Sequence, residues 1–445
     1  MVSQKQAEPL AVPFKEKLQT LGVDVLAKQS GFVKRKPRKI LPLNFLLGFF
    51  KMVLTESSSC KALAVSIGLA ACCCLSRQAV HKRLQSPVVA FLELVLSACL
   101  AAEIKRPDKA LYPNIFKAFN AVYLQDSTTV TLSKELAKYF PGSRNGTKKQ
   151  SASVRIQTVF NLAKENCAYF KLTAYTHNDQ RASRMILDIA QKGDLVIRDL
   201  GYLVLGVVKQ LQDKGAYFLS RLKYGIALYE ADGETPLNLL KELKKYGRLD
   251  RQICAGKKEK VPARLVVIPL PPQVAAERRR KAKANRDRRC LPSKEHLALL
   301  GWEIFITNIE AQLLTAEHIA KLYELRWRIE TVFKSWKSHF HLTHVPQGSE
   351  SRVKSYFYAM LIFITIFQTH IYVRLYRENQ QRNARQLSFL KLTGFFKEQV
   401  WAVILFFENP RSITREEIEA QIFYHCRYDA RADRQNHVQK IEALG

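Results

Sequence analysis

Apolar residues recur at helical spacing near both ends of the chain. Three stretches of this kind, at residues 41–54, 62–74 and 88–100, lie in the first quarter. Apolar positions three and four apart line one face of a helix, so residues 1–110 are predicted to form a helical region. Residues 351–445 show the same periodicity, which predicts a second helical region at the C-terminal end.

Between residues 111 and 223 the pattern changes to short apolar runs, which are typical of strands. The predicted strands lie at residues 121–126, 153–161, 169–175, 195–199 and 216–220. Helical stretches separate the third, fourth and fifth strands, and this order of elements is that of a ribonuclease-H-like α/β unit. The first and fourth strands end in acids, Asp126 and Asp199.

The regular order of strands and helices breaks between residues 224 and 300. This segment combines a strand-like piece at 264–269 with a very basic run at 278–289. The chain is therefore predicted to be an α/β protein, with an RNase-H-like core, a partly β insertion and helical N- and C-terminal regions. The predicted boundaries are 1–110 for the N-terminal region, 111–223 and 301–350 for the core, 224–300 for the insertion and 351–445 for the C-terminal region.

The net charge at pH 7 is +32, from 71 lysines and arginines against 39 aspartates and glutamates. An excess of this size predicts a polyanionic partner, with DNA or RNA as the first expectation. On charge alone, a ribosomal protein or a protein that binds a membrane surface remains an alternative. Hydrophobic residues make up 47% of the chain, which excludes an intrinsically disordered protein.

The cysteine pattern argues against a zinc or redox motif. Nine cysteines occur, and no two have the CxxC spacing that zinc fingers and thiol redox sites use. Three are consecutive, at residues 72–74, and their apolar flanks predict a buried helix with free thiols in a reducing cytoplasm. The first ten residues lack the basic-then-apolar pattern of a signal peptide, which also predicts a cytoplasmic protein.

The strongest apolar run covers residues 356–373 and includes Gln368 and His370. Its length is marginal for a membrane span, and these two polar residues lie inside it. A buried core helix is the favoured interpretation, and no membrane partner is expected.

Within the N-terminal region, Ser76 is predicted to cap a helix. The outer face of that helix carries Arg77, His81 and Lys82, and a turn of small residues precedes it. The recognition helix of a helix-turn-helix has this form. A basic amphipathic helix can equally be a solvated face, so DNA recognition by Arg77 and Lys82 and a purely structural role both stay open.

The basic run of the insertion begins with Arg278, Arg279 and Arg280. Clusters of lysine and arginine neutralise DNA phosphates, but runs of like charge also occur as solvated segments. A loop that contacts DNA phosphates is the favoured interpretation.

Residues 316–341 are predicted to form one long helix, with Thr315 as its cap. At about 100° per residue, Tyr323, Arg326, Glu330 and Lys337 fall within one stripe, and apolar residues form a separate stripe. An ordinary surface helix also carries acid–base pairs four residues apart, as Arg326 and Glu330 are. The stripe therefore presents an acid, two cations and a phenol on one face.

This stripe resembles the Tyr-x-x-Arg-x-x-x-Glu-x-x-x-x-x-x-Lys motif of the DDE transposases of insertion-sequence family four. All four residues occur at the family's spacing. The stretches around Asp126 and Asp199 resemble the family's first and second acids, in the same chain order. The resemblance covers roughly residues 115 to 350. It implies that Asp126, Asp199 and Glu330 are the catalytic residues.

Three carboxylates suit Mg²⁺ or Mn²⁺, because hard divalent cations prefer oxygen ligands. DNA cleavage and strand transfer are in-line displacements at phosphorus, and two such ions can activate the attacking oxygen and stabilise the leaving one. In this arrangement Asp126 would bridge both ions, and Asp199 and Glu330 would each hold one. Water or a DNA 3′-hydroxyl would be the nucleophile.

The same resemblance implies contacts to the DNA end. Arg326 would bind phosphate through two parallel hydrogen bonds, Lys337 as a point charge, and Tyr323 through its hydroxyl. In relatives, a tryptophan of the insertion stacks on a base flipped out of the DNA, and Trp302 lies at the end of the insertion, 28 positions before Glu330. The alternative for Trp302 is a core residue that begins a strand.

The resemblance implies a transposase that binds terminal inverted repeats, cuts the DNA and inserts it into a target, as a homodimer that holds two DNA ends. Two alternatives come from other classes. A non-catalytic DNA-binding regulator is disfavoured because Asp126, Asp199 and Glu330 are all present. A nuclease that cuts without rejoining shares the fold, and the motif with Tyr323 and Lys337 favours the transposase over it.

Overall fold

The computed structural model describes ten ranges of the chain. They are residues 12–35, 37, 39–54, 57–105, 111, 117–144, 150–284, 292–399, 415–429 and 435–444. The part of the predicted basic run at residues 285–289 lies outside them.

The core of the molecule is a sheet of ten strands. The strands are β1 (Val122–Leu132), β2 (Pro141–Arg144), β3 (Gln150–Asn161), β4 (Asn166–Ala174), β5 (Leu195–Arg198), β6 (Tyr217–Arg221), β7 (Leu228–Tyr229), β8 (Leu249–Ala255), β9 (Val261–Pro269) and β10 (Trp302–Thr307). Most of their buried residues are apolar, which explains why the short apolar runs of the sequence become strands.

The sheet has the order β2-β3-β1-β5-β6-β10-β9-β8-β7, and β4 pairs with β3. Strands β1, β5 and β6 are parallel, whereas β3 is antiparallel to both β1 and β4. The order β4-β3-β1-β5-β6 with these directions is the ribonuclease-H arrangement, so the predicted fold class is confirmed. The strands of the predicted insertion extend this same sheet through β10 and β9.

Helices cover both faces of the sheet. Those before β1 are α1 (Val12–Thr20), α2 (Val23–Gln29), α3 (Pro42–Leu54), α4 (Cys60–Ala70), α5 (Arg77–Arg83) and α6 (Ser86–Lys105). Those between β4 and β10 are α7 (Asp179–Ala182), α8 (Leu205–Asp213), α9 (Leu239–Tyr246), α10 (Pro272–Lys283) and α11 (Lys294–Leu299). Those after β10 are α12 (Ala316–Glu324), α13 (Trp327–Ser338), α14 (Glu350–Ile366), α15 (Val373–Asn383), α16 (Phe389–Glu398), α17 (Arg415–His425) and α18 (His437–Glu442).

Two apolar clusters hold these layers together. One joins the N-terminal helices, α13 and the C-terminal helices to one face of the sheet, and the other packs α8 and the insertion strands on the opposite face. Trp336 of α13 is among the largest fully buried side chains of the first cluster. The helix that carries Glu330 is therefore fixed from behind by apolar packing.

Within the described part of the chain, two helical segments could cross a membrane by length and composition, Ser86–Glu103 and Glu350–Asn383. The second contains the apolar run of the sequence, and 89% of the residues in its most apolar 18-residue window are buried within the protein. Its middle, Phe367–Tyr372, is a turn of π-helix. The run thus packs as a core helix, as predicted.

Strand β1 is longer than its sequence pattern predicts. Its pairing with β3 continues as far as Leu132, opposite Ala152, so Asp126 lies inside the strand and not at its end. The parallel pairing with β5 stops at Gln125, opposite Arg198. Asp126 therefore lies directly after the last residue at which β1 and β5 are paired.

Candidate active site

Three carboxylates meet at one edge of the sheet. Asp126 follows the last residue of β1 that pairs with β5, and Asp199 directly follows β5. Glu330 lies in the first turn of α13. The ends of parallel strands meet at one edge, which explains how acids 73 positions apart come together.

The predicted single helix of residues 316–341 is divided at Leu325 and Arg326. The amide of Leu325 donates to the carbonyl of Leu322 at 3.2 Å, and that of Arg326 to Tyr323 at 3.1 Å. These bonds span three residues instead of four, which tightens the turn and changes the direction of the side chains. The predicted stripe is therefore wrong at Tyr323, whose side chain lies in the core with 4% exposure.

Arg326 lies between the three acids. Its Nη1 is 3.3 Å from Oδ2 of Asp126, and its Nη2 is 3.0 Å from Oε1 of Glu330. Its Nε is 3.6 Å from Oδ1 of Asp199. One guanidinium thus contacts all three carboxylates, and its positive charge offsets their mutual repulsion.

Burial differs among these groups and changes their acidity. The side chain of Asp126 is 18% exposed and that of Arg326 is 10% exposed. Burial raises the pKa of Asp126 to about 7, although the bond from the Ser127 amide and the charge of Arg326 act against this. Burial also disfavours the charged form of Arg326. The negative charges of Asp199, Asp126 and Glu330 nevertheless raise the pKa of the guanidinium, which stays protonated.

An open pocket of about 650 Å³ lies over the acids. Lys334 and Lys337 of α13 line it, together with Phe333 and Ser338. Lys334 is exposed, whereas Lys337 is half-buried and its pKa is lowered by burial. Acids and cations thus line the same pocket, and such cations can neutralise the phosphates of DNA.

The donor atoms of this site suit a divalent cation. Among the described residues, no three His, Cys, Asp or Glu side chains already form a set of metal ligands. The three carboxylates instead contact the guanidinium of Arg326, each through a different nitrogen, so all three lie around one positively charged group. Carboxylate oxygens are hard donors, the ligands that divalent cations prefer, so the chemistry of these three side chains fits such an ion.

A network behind Asp126 was not predicted from the sequence. The Ser127 hydroxyl donates to Oδ1 of Asp179 at 3.2 Å, and Arg155 donates to the same oxygen at 2.7 Å. A Cβ on Gly201 would lie 3.1 Å from Oδ2 of Asp179, so the loop after Asp199 approaches this carboxylate closely. Asp179 belongs to no motif, and only its place in the fold reveals the network.

Trp302 begins β10, and its indole Nε1 donates to the carbonyl of Gly247 at 2.7 Å. The ring is half-buried and lines a cavity of about 950 Å³. Leu200, next to Asp199, and Arg221 line the same cavity. Trp302 thus begins a strand, as the alternative interpretation has it, but it is half-buried and lines a cavity that Leu200, the neighbour of Asp199, also lines.

The three arginines of the basic run have different environments. They lie in α10, so the predicted loop is a helix as far as Lys283. Arg278 pairs with Glu303 at 2.6 Å, and Nε of Arg279 donates to the carbonyl of Leu297 at 3.0 Å. Arg280 is exposed.

The predicted cap of the N-terminal basic helix is confirmed, since the Ser76 hydroxyl accepts a hydrogen bond from the amide of Ala79 at 3.1 Å. Val80 is buried, whereas Arg77 and Lys82 are exposed. The three consecutive cysteines lie in the turn between α4 and α5, not in a helix. Cys72 has a positive φ of 50° and is exposed, so the prediction of a buried helix is wrong here.

A ribonuclease-H-like sheet with three acids at this edge defines an enzyme that acts on phosphodiesters. Residues 118–366 match the family described as the transposase DDE domain. The match covers more than half of the chain, and the protein belongs to this family: it is a DDE transposase, an enzyme that cuts DNA and transfers its strands.

Relatives match along most of the chain. The transposase for insertion sequence element IS231B of Bacillus thuringiensis subsp. berliner is 28% identical, over 85% of this chain and 82% of the relative. The transposase for insertion sequence element IS1151 of Clostridium perfringens is 25% identical, over 83% and 81%. Among solved structures, a piggyBac transposase synaptic complex with hairpin DNA has a TM-score of 0.44 and 10% identity, covering 97% of this chain and 88% of that one.

Proposed function

We propose that this transposase binds the terminal inverted repeats of an insertion sequence, cuts the DNA there and joins the ends to target DNA. Asp126, Asp199 and Glu330 are its catalytic and metal-holding residues in this proposal. The observation that carries it is the convergence of these three carboxylates on one cationic group beside an open pocket. The relatives named for insertion sequence elements support the substrate.

The proposed cofactor is Mg²⁺ or Mn²⁺, as two ions held by the three acids. When bound, such ions activate the attacking oxygen and stabilise the leaving oxygen in an in-line displacement. Asp126 is the most buried of the three acids, and the hydrogen bond from the Ser127 amide holds its carboxylate in place.

Arg326, the residue before α13, and two lysines of α13 are proposed to hold the phosphates of the DNA end. Arg326 can offer two parallel hydrogen bonds to a phosphate, and Lys337 and the exposed Lys334 add point charges. The buried ring of Tyr323 has the guanidinium of Arg326 at 6.0 Å and that of Arg221 at 5.3 Å from its centroid. Its role in this proposal is to support Arg326 from behind, and not to bind phosphate through the hydroxyl.

Other surfaces of the chain are proposed to contact DNA further from the acids. Arg77 and Lys82 of α5 would contact the bases or phosphates of the terminal repeat, as the recognition helix of a helix-turn-helix does. Trp302 would stack on a displaced base in its cavity. Of the three arginines in α10, Arg280 is the best placed for phosphate, because Arg278 and Arg279 already have partners in the protein.

Replacing Arg77 and Lys82 together with glutamine is expected to weaken binding to the terminal repeat. Each phosphate contact that is lost lowers the slope of log affinity against log salt by about one, so the slope should fall by about one to two. Titrations of labelled end DNA at several salt concentrations measure it. The matched control replaces the exposed Lys192 and Lys209. Equal slopes for the two double variants would remove α5 from the DNA interface.

The proposal also includes assembly and location. A homodimer would hold two DNA ends at once, with contacts from the C-terminal region, and would act on the nucleoid in the bacterial cytoplasm. The net charge of +32 supports stable association with DNA.

The test of the function is precise excision in cells. A selectable marker is placed between the two DNA segments that flank the gene, and the protein is supplied from a separate plasmid. Restoration of the donor sequence supports the proposal. If the protein binds the end DNA without excision or cleavage, it is a DNA-binding regulator, and if it nicks the ends without joining them, it is a nuclease.

A further inference from the structure

A fully buried ion pair lies behind the helix that carries Glu330. Nε of Arg328 in α13 is 3.0 Å from Oε1 and 3.1 Å from Oε2 of Glu165, and Nη2 is 2.5 Å from Oε2. Each side chain is only 1% exposed. Glu165 lies in the turn between β3 and β4, so the pair joins the sheet to α13.

The C-terminal helix α18 adds a third member. Nε2 of His437 is 3.4 Å from Oε1 of Glu165, and the Tyr428 hydroxyl is 2.8 Å from Nδ1 of His437. Burial, and then the charge of Arg328, lower the pKa of His437 to about 4, so its ring is neutral at pH 7. Because Glu165 can only accept, the proton of His437 lies on Nε2, and Nδ1 accepts from Tyr428.

These three residues lie opposite the acids. Residues of a helix advance by about 100° each, so Arg328 points away from the face that carries Arg326 and Glu330. On the other side, β3 pairs directly with β1, where Thr158 is opposite Asp126. The Arg328–Glu165 pair is therefore a short, buried connection between the strand system of Asp126 and the helix of Glu330.

Stability alone does not account for this cluster. Burying two charges costs solvation that their attraction barely recovers, and a well-packed apolar pair is often as stable or more stable. Glu165 also has a positive φ of 53°, a left-handed backbone conformation that costs a non-glycine residue free energy and recurs where function constrains the chain.

We propose that Glu165, Arg328 and His437 are positioning residues for strand cleavage and transfer. They hold the back of α13 so that Glu330 and Arg326 face Asp126 and Asp199, and they make α18 a part of the support of the active site. A displacement of about 1 Å at a reacting centre can slow a reaction about a hundredfold. The inference rests on the proposed function of the three acids.

The first test replaces the pair by apolar residues of similar size, Glu165→Leu with Arg328→Met. The fold should survive, because no charge is left unpaired. Binding of the DNA end should change by less than about threefold, and single-turnover cleavage should slow by about a hundredfold. The control makes the same exchange at an ion pair of another buried arginine, Asp250→Leu with Arg264→Met in the insertion, where Arg264 is 2% and Asp250 32% exposed. Its folded fraction should cleave within about threefold of wild type.

The second test concerns His437 and keeps the ion pair intact. His437→Leu removes the donor to Glu165 and should slow cleavage by about tenfold, whereas His437→Gln places an amide N–H near the position of Nε2 and should restore it. Hydrogen exchange of the α13 amides gives a readout that needs no activity. Exchange should be faster in the leucine variant and return toward wild type in the glutamine variant.

Cleavage at the wild-type rate by both the Glu165/Arg328 double variant and His437→Leu would overturn the inference. So would parallel losses of end binding and cleavage, because those describe a structural role. If the wild-type protein itself fails to cut end DNA, the proposed function fails. Hydrogen exchange of the α13 amides then decides the positioning role: faster exchange in His437→Leu supports it, and unchanged exchange rejects it.

Discussion

Glu330→Gln is expected to lower the rate of DNA-end cleavage by about a thousandfold or more. The substitution keeps the shape of the side chain and removes one of three negative charges that converge on the site. Charge stabilisation by a bound divalent ion contributes several kcal/mol to such a reaction, and each 1.4 kcal/mol is a factor of ten in rate. Purified protein, labelled end DNA and Mg²⁺ or Mn²⁺ are sufficient for the measurement.

Binding of the DNA end should persist in this variant, and it should be as tight as in wild type or tighter. Removing a carboxylate beside the pocket reduces its repulsion of DNA phosphates. Glu317→Gln is the matched control, since Glu317 is an exposed residue of α12 that pairs with Arg248 and should leave cleavage unchanged. A Glu330→Gln protein that still excises DNA would exclude Glu330 from the mechanism.

Arg326→Gln is expected to tighten the binding of Mn²⁺ by the DNA-free protein, by about tenfold or more. In the structure the guanidinium contacts all three carboxylates, so we expect a divalent ion that they hold to compete with it. A unit charge about 4 Å from another contributes about 4 kcal/mol at an effective dielectric constant of about 20. Solvent screens part of this interaction energy, and the remainder is sufficient for a tenfold change in Mn²⁺ affinity.

Electron paramagnetic resonance of free Mn²⁺ measures this binding without any activity. The titration is best made above pH 8, because burial raises the pKa of Asp126 to about 7 and a protonated carboxyl is a poor ligand. The same variant should bind end DNA more weakly, since it loses a phosphate contact. Arg248→Gln, which removes an exposed arginine, is the control, and equal Mn²⁺ affinity of the two variants would show that Arg326 does not compete with the metal.

If both results hold, loading of metal depends on DNA. A phosphate of the DNA end would draw Arg326 away from the acids, and the carboxylates would then be open to a cation.

Much of the fold follows from local patterns in the sequence. The short apolar runs become strands because the sheet buries them, and the central parallel strand β5, between β1 and β6, is buried along its whole length. The helical periodicity of the N- and C-terminal regions correctly predicts helices there, because one face of each helix packs against the core. Ser76 caps α5 because capping depends on residues only three positions apart.

Some local predictions fail where tertiary pairing overrides them. Strand β1 passes beyond Asp126 because β3 continues to pair with it. The long helix is divided at Arg326, and this division buries Tyr323. The three cysteines form a turn instead of a buried helix, because the chain reverses there between α4 and α5.

The sequence by itself determined the order of the core elements, the identity of the three acids as candidates and the basic character of the surface, because each depends on spacing or composition. Only the tertiary structure decided that Arg326 lies among Asp126, Asp199 and Glu330, and that Asp179, Glu165 and His437 lie behind them. These contacts join residues up to 272 positions apart. No periodicity along the chain encodes such distances, which follow from the order of strands in the sheet and from the packing of helices on it.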